Sequence, residues 1–292
     1  MHFQKYKTIL SPKNGMNLYR GCTHGCIYCD SRSKCYEMTH EFEDIEVKTD
    51  APAMLEAELI RKRRKGMIAT GAMSDPYLPL EKTLQYTRAC LEVIERRGFG
   101  ISVLTKSDLI LRDLDLLVKI NRQTKCVVQM TLTTYDETLC RIIEPNVCTT
   151  RRRFETLKIL RDNGIPTIVW FTPLLPFIND TRENIRGIVA YCKEAGVYGV
   201  LCFGIGVTLR EGDREYFYQA LDRQFPGLKN EYIKTFGYAY HCLSPDNDVL
   251  MPFFQEECKK NGLTTDVGKI FAFAGSFDPE PAPRQLSLFD EF

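Results

Sequence analysis

Residues 17–33 read NLYRGCTHGCIYCDSRS, and in this stretch Cys22, Cys26 and Cys29 are spaced CxxxCxxC just after a short β-rich run. Three thiolates this close in sequence can ligate three irons of a cubane cluster, and Gly21 and Gly25 let the backbone approach it without a Cβ clash. The fourth iron then has no protein ligand in the motif and is open to a small chelating molecule. Two plainer readings stand beside this one. Either His24 or Cys35 completes a closed four-ligand zinc knuckle, or the three cysteines are buried without any metal.

Outward from this loop, short apolar runs alternate with longer amphipathic stretches, the pattern of parallel strands joined by right-handed helical crossovers. The expected strands are 16–20, 67–72, 100–105, 127–133, 166–172 and 198–204. Most are continuous apolar runs, as helices on both sheet faces require. The expected helices are 51–65, 81–97, 108–122, 150–163 and 181–195, and several end at a glycine suited to the left-handed residue past a last turn. Six such units form either an open doubly wound sheet or an incomplete barrel, and periodicity does not separate the two. In both, chemistry gathers at the carboxyl ends of the strands. The sequence places the cysteines, Met73-Ser74-Asp75, Thr105-Lys106-Ser107 and Thr133-Thr134 at those ends.

The cysteine loop resembles the signature of the radical S-adenosylmethionine superfamily, CxxxCxΦC with an aromatic Φ, here Cys22, Cys26, Tyr28 and Cys29. More narrowly, the chain resembles the spore photoproduct lyase-like branch through NLYRGCTHGCIYCDSR and the strand-end SDPY at 74–77, over residues 8–210. The resemblance implies an α/β fold built as an incomplete (β/α)6 barrel, with a 4Fe-4S cluster on Cys22, Cys26 and Cys29. It implies that S-adenosylmethionine chelates the open iron and is cleaved reductively to a 5'-deoxyadenosyl radical, with flavodoxin or ferredoxin as the reductant. By the same resemblance Tyr28 belongs to the catalytic and cofactor site, Ser74 and Asp75 lie beside the methionyl group, and Lys106 reaches the cofactor's carboxylate. Thr131 and Thr133 offer hydroxyls to its ribose or amino-acid end. Taken alone these residues are ordinary, since Ser and Asp before Pro76 favour turns, Thr favours strands and Lys106 suits a solvated loop. The chain also departs from the lyases. Met73 and Asp30 stand where those enzymes carry a thiol and a second tyrosine that return a hydrogen atom, so the lyase activity is not carried over; Cys140 and Cys202 are the remaining thiol candidates.

With 44% hydrophobic and 26% charged residues the composition is that of an ordinary globular protein. A net charge of +1 excludes capture of a polyanion by the overall field, so nucleic-acid contact rests on RKRRK at 61–65 or on Arg151 to Arg153. The first cluster closes a helix, where cations complement the dipole; the second opens one, where they do not, which makes Arg152 or a neighbour the candidate anion-binding residue. Twelve cysteines, no signal-like N-terminus and no apolar stretch long enough for a bilayer point to a cytoplasmic protein without membrane contact. The expected organisation is a radical SAM partial barrel over 1–212, a mostly helical extension over 213–275 and a flexible tail over 276–292. In the tail, Gln285, Leu286, Ser287, Leu288 and Phe289 resemble the bacterial sliding-clamp binding pentapeptide, which implies the clamp of the replicative polymerase as a partner. The tail, the arginines and the lyase-like resemblance together favour DNA as the substrate, in repair or modification. A radical enzyme acting on a peptide or RNA is the second reading, and a zinc-stabilised interaction module the third.

Overall fold

The computed structural model describes residues 1–277, so the pentapeptide at 285–289 lies outside the described residues. The chain opens with β1 (His2–Gln4), β2 (Gly15–Met16), β3 (Tyr19–Arg20) and β4 (Glu46–Lys48), then α1 (Ala51–Arg61) and β5 (Met67–Thr70). Next come α2 (Glu81–Leu84), α3 (Tyr86–Arg97), β6 (Gly100–Thr105), a 3-10 segment at Asp108–Asp113, α4 (Leu114–Gln123) and β7 (Cys126–Thr131). After these follow α5 (Glu137–Ile143), α6 (Thr150–Asp162), β8 (Thr167–Trp170), α7 (Arg182–Ala195) and β9 (Gly199–Leu201). The remainder holds β10 (Gly206–Thr208), α8 (Asp213–Gln224), α9 (Leu228–Phe236), β11 (His241–Leu243), α10 (Asn247–Lys260) and α11 (Val267–Gly275).

The central sheet runs β2-β5-β6-β7-β8-β9 with every neighbouring pair parallel, which is the incomplete (β/α)6 barrel. Its middle strand, β7, is buried at all six positions. Ile101, Val103, Val128 and Met130 belong to one core cluster with Leu91, Ile94, Leu117 and Leu157 of the covering helices. Each such side chain contributes about 1.5–3 kcal/mol when fully buried. At the two rims, Leu10 bridges Met16 and Thr264 bridges Gly199, the latter with Val200 N–H donating to the Thr264 carbonyl at 2.9 Å. Among the described residues no helix is long and apolar enough to cross a membrane.

Three expected elements come out differently. The strand expected at 16–20 is divided: β2 joins the central sheet, while β3 pairs antiparallel with β4 in a side sheet ordered β1-β4-β3. The helix expected at 81–97 breaks at Gln85, whose φ is 55°. The cause is tertiary. The buried Glu81 carboxylate accepts the Thr87 amide at 2.9 Å and is also met by the Tyr19 hydroxyl and Arg112, so it takes over an amide at the start of α3. The helix expected from 108 begins instead as the 3-10 segment, with the Ser107 hydroxyl accepting from Leu109 N–H at 3.3 Å.

Candidate functional site

The cysteine loop is fixed from outside by backbone contacts. Cys22 N–H donates to the Phe42 carbonyl at 3.0 Å, Ile27 N–H to the Ile143 carbonyl at 3.0 Å, and Asn146 N–H to the His24 carbonyl at 3.1 Å. Gly21 has φ +90°, and a Cβ there would come within 2.3 Å of the Phe42 carbonyl oxygen. Its freedom therefore serves the approach of the 42 backbone rather than that of a cluster. On its other side the loop is held by the C-terminal part of the chain, since Ile27 and Tyr28 share a core with Leu175, Phe217, Leu221 and Tyr232.

A cavity of about 450 Å³ opens at the carboxyl ends of the central strands. Cys22, Cys26, Cys29, Tyr28, Ser74, Asp75, Lys106 and Thr131 all line it, as do Asp30 and Met73. Asp75 is the hub of the wall. One carboxylate oxygen accepts from Tyr77 N–H at 2.8 Å and from the Thr105 hydroxyl at 2.7 Å; the other accepts from Lys106 N–H at 2.8 Å and lies 3.5 Å from His24 Nδ1. The neighbouring Ser74 hydroxyl donates to the Gly21 carbonyl at 2.6 Å. These two side chains thus tie the ends of β5 and β6 to the cysteine loop. Lys106 is no solvated loop residue. Burial opposes its charge, but Cys26, Glu144 and Cys29 outweigh burial and hold the ammonium above its ordinary range.

Tyr28 brings a group that sequence reasoning did not single out. Its hydroxyl donates to the Glu144 carboxylate, which in turn meets the Arg153 guanidinium at 2.5 Å, and both charged side chains are fully buried. Arg153 also donates to the Thr131 carbonyl at 3.0 Å and the Cys148 carbonyl at 2.9 Å. Burial, then Glu144, raises the Tyr28 phenol well above its usual range, so it stays protonated. Burial alone would raise Glu144, yet Arg153 and Lys106 hold it below the ordinary carboxylate range. The arginine run was the available signal, with Arg153 as its buried member and Arg152, the residue expected to bind an anion, nearer the surface. Arg152 is half exposed and pairs with Asp108 at 2.7 Å and Glu155 at 3.6 Å.

Thr133 does not line the cavity with Thr131. It is buried, and its carbonyl accepts from the side-chain amides of Asn179 at 3.0 Å and Asn184 at 2.8 Å. Cys140 and Cys202 also lie off the cavity wall, the first against Glu144 at 3.7 Å and the second against the Gly204 carbonyl at 3.6 Å. At the mouth stand Trp170 and Phe203, with ring centroids 5.7 Å apart, and His241 and Leu243.

The donor set fits an iron-sulfur cubane better than a single ion. Among the described residues, the one group of three or more possible ligand atoms that all lie within 4.8 Å of one another is His2, His40 and Asp44. The three thiols therefore stand too far apart for one tetrahedral zinc at Zn–S distances of about 2.3 Å. The two candidates for a fourth zinc ligand are engaged elsewhere, His24 beside Asp75 and Cys35 with Arg210 at 3.2 Å. Burial pushes the Cys22 thiol up to about 12, helped by Cys29 and Asp75, and burial likewise raises Cys26 and Cys29 against the pull of Lys106. Such thiols are poor free nucleophiles, and they lose their protons when a cation binds.

The chain is similar to several known proteins. An uncharacterized protein of Mycobacterium tuberculosis is 31% identical over 284 residues, spanning 94% of this chain and 78% of its own length. An uncharacterized protein of Methanocaldococcus jannaschii is 34% identical over 172 residues, 58% of this chain and 63% of its own. Among solved structures, a cysteine-to-serine variant of spore photoproduct lyase superposes with a TM-score of 0.61 at 12% identity, covering 89% of this chain and 76% of that one. Another variant of the lyase, with bound AdoMet and dinucleoside spore photoproduct, gives 0.58 at 14% identity over 83% of this chain and 72% of that one. At such identities the likeness is one of fold. The family model of the Radical SAM superfamily matches residues 16–188, more than half of the chain, and on that match the chain belongs to the Radical SAM superfamily, whose cofactors are a 4Fe-4S cluster and S-adenosylmethionine.

Proposed function

We propose that this chain is a radical SAM enzyme that abstracts a hydrogen atom from DNA, in repair or modification. The observation that carries the reading is that the three cysteines, Lys106 and the aromatic mouth line one shared cavity. A 4Fe-4S cluster held by Cys22, Cys26 and Cys29, with flavodoxin or ferredoxin as the source of its electron, would supply reductive cleavage of S-adenosylmethionine. The protein's own residues do the rest. Cys22, Cys26 and Cys29 hold three irons, and Lys106 offers its ammonium to the cofactor's carboxylate. Ser74 and Asp75 position the loop and the Lys106 backbone rather than reaching the ligand with free oxygens. Tyr28 keeps its proton, which it donates to the Glu144 carboxylate, and presents its ring, 5.7 Å from Lys106 Nζ, to the cavity.

The mouth supports a planar substrate. Phe203 is 53% exposed and Phe271 44% exposed, and both flank Trp170, at 5.7 and 6.0 Å between centroids. Aromatic rings bare to solvent beside a reactive cavity suit an unstacked base, each such stack contributing about 1–3 kcal/mol. The sliding-clamp motif at 285–289 would bring the enzyme to DNA despite a net charge of only +1. The test is anaerobic turnover with DNA, RNA or peptide labelled with deuterium. Transfer of deuterium from DNA into 5'-deoxyadenosine, lost in Cys22→Ala, Cys26→Ala and Cys29→Ala, is the expected result. Transfer only from RNA or a peptide would replace the DNA reading with the second one.

A further inference from the structure

Far from the cavity mouth, the side sheet brings together four residues that the radical chemistry does not use. His2 lies directly opposite Glu46 in the parallel pairing of β1 with β4, and His40 and Asp44 come from the loop that precedes β4. One ligand atom from each of His2, His40 and Asp44 lies within 4.8 Å of the others.

The hydrogen bonds fix which ring nitrogens are free. His40 Nδ1 is 2.9 Å from the Glu41 carbonyl, which can only accept, so this nitrogen carries the proton and Nε2 keeps its lone pair in the neutral ring. His40 Nε2 is buried and has no hydrogen-bond partner. His2 Nδ1 lies 2.9 Å from the Asp44 carboxylate, which leaves His2 Nε2 in the same state. Both Nε2 atoms face one oxygen of Glu46, at 3.7 Å from His2 and 3.8 Å from His40. The other Glu46 oxygen is taken by the Tyr6 hydroxyl.

Two imidazole nitrogens with free lone pairs thus lie beside one oxygen of a largely buried carboxylate, each across a gap too long for a hydrogen bond. Such gaps are the width that a cation spans when it binds nitrogen and oxygen at about 2.0–2.2 Å each. The Glu41 carbonyl behind the His40 ring is the kind of partner that a metal-bound histidine ordinarily has. Asp44 is also 2.9 Å from the Met1 amino group, which a bound ion would have to share or displace.

We propose that His2, His40 and Asp44, with Glu46 completing the charge, form a binding site for a divalent transition-metal ion of the zinc class, separate from the cysteine site. Two imidazoles and carboxylates suit zinc, and the two acids balance its charge. The ion would brace the loop whose Phe42 carbonyl receives Cys22 N–H, and so support the cysteine loop from behind.

The test uses the full chain without an affinity tag, carrying Cys22→Ala, Cys26→Ala and Cys29→Ala so that iron and thiolate binding are removed. After exposure to zinc and desalting it should retain a single equivalent, and cobalt should give visible bands without thiolate charge-transfer absorption. His40→Gln, and His2→Ala with His40→Gln, should lose the metal at least tenfold in affinity while keeping native circular dichroism. As a check independent of the triple variant, the intact protein with its cluster in place should hold zinc beside iron and lose only the zinc in His40→Gln. Equal zinc content with and without the two histidines, or no retained zinc in either background, would overturn the proposal.

Discussion

Asp75 is the residue whose replacement best separates a positioning role from direct contact with the cofactor. Its carboxylate receives Tyr77 N–H and Lys106 N–H at 2.8 Å each and the Thr105 hydroxyl at 2.7 Å, all in a buried setting. In Asp75→Asn the amide oxygen can keep the contacts on one side, but the NH2 group then faces another donor on the other. Turned to keep Tyr77 and Thr105, it opposes the Lys106 amide. One buried donor left unsatisfied costs about 1–3 kcal/mol, and the remaining bonds lose the charge assistance that makes them stronger than neutral ones. The expected loss of stability is about 2–4 kcal/mol, a large share of the roughly 5–15 kcal/mol that holds a typical domain together. Asp75→Ala, which empties all the positions, should lose more. The assay is urea unfolding of the protein without cluster, in which a positioning role predicts a lower midpoint with an unchanged slope. A midpoint within experimental error of the wild type, combined with weakened binding of S-adenosylmethionine, would refute the reasoning and make Asp75 a ligand-contacting residue.

Three further outcomes are expected. Lys106→Ala should leave iron content unchanged and weaken S-adenosylmethionine binding by about 10- to 150-fold, the worth of a charge-assisted bond of roughly 1.5–3 kcal/mol; an unchanged dissociation constant in calorimetry would remove it from the site. Asp213, buried between Ser33 and Arg210, has its carboxyl raised from 3.8 to about 6 chiefly by burial, so the folded state holds the proton more tightly than the unfolded chain does. Its favourable contribution is therefore complete below 3.8 and is lost as pH rises through about 6. Asp213→Asn should gain stability relative to wild type over that interval, by on the order of 1–3 kcal/mol, and parallel stability-versus-pH curves would contradict this. Finally, a peptide of residues 279–292 should bind a bacterial sliding clamp at micromolar strength, and Leu288→Ala with Phe289→Ala should abolish that binding without affecting cofactor cleavage.

What the sequence revealed and what it hid follow from the range of the interactions. β6 occupies the expected residues 100–105 because its signal is a continuous apolar run bounded by Gly98 and Ser107, all within one window. The cysteine loop is equally local. The Tyr28–Glu144–Arg153 chain was not legible, since nothing near Tyr28 announces a partner 116 residues away, and a buried arginine looks the same in sequence as an exposed one. Thr131 and Thr133 were offered to the cofactor's ribose or amino-acid end by the resemblance alone. β7 ends at Thr131, however, and beyond it the Thr133 carbonyl is taken by the side-chain amides of Asn179 and Asn184, partners from segments more than forty residues away. The break at Gln85 was hidden for the same reason, being set by a carboxylate that also binds Tyr19 and Arg112 from distant segments.

The open barrel carries one more consequence, for behaviour at high concentration. A closed barrel has no unpaired strands, whereas this one ends in two, and a long bare edge is a template for adding strands of other molecules. Here one edge is the two-residue β2, already bridged by Leu10, and the other is the three-residue β9, bridged by Thr264 with α11 lying against it. Neither offers the length or the free ladder that cross-β growth needs. The barrel can thus stay open without making the molecule self-adhesive, and the short bridges at 10 and 264 act as stoppers against fibril seeding.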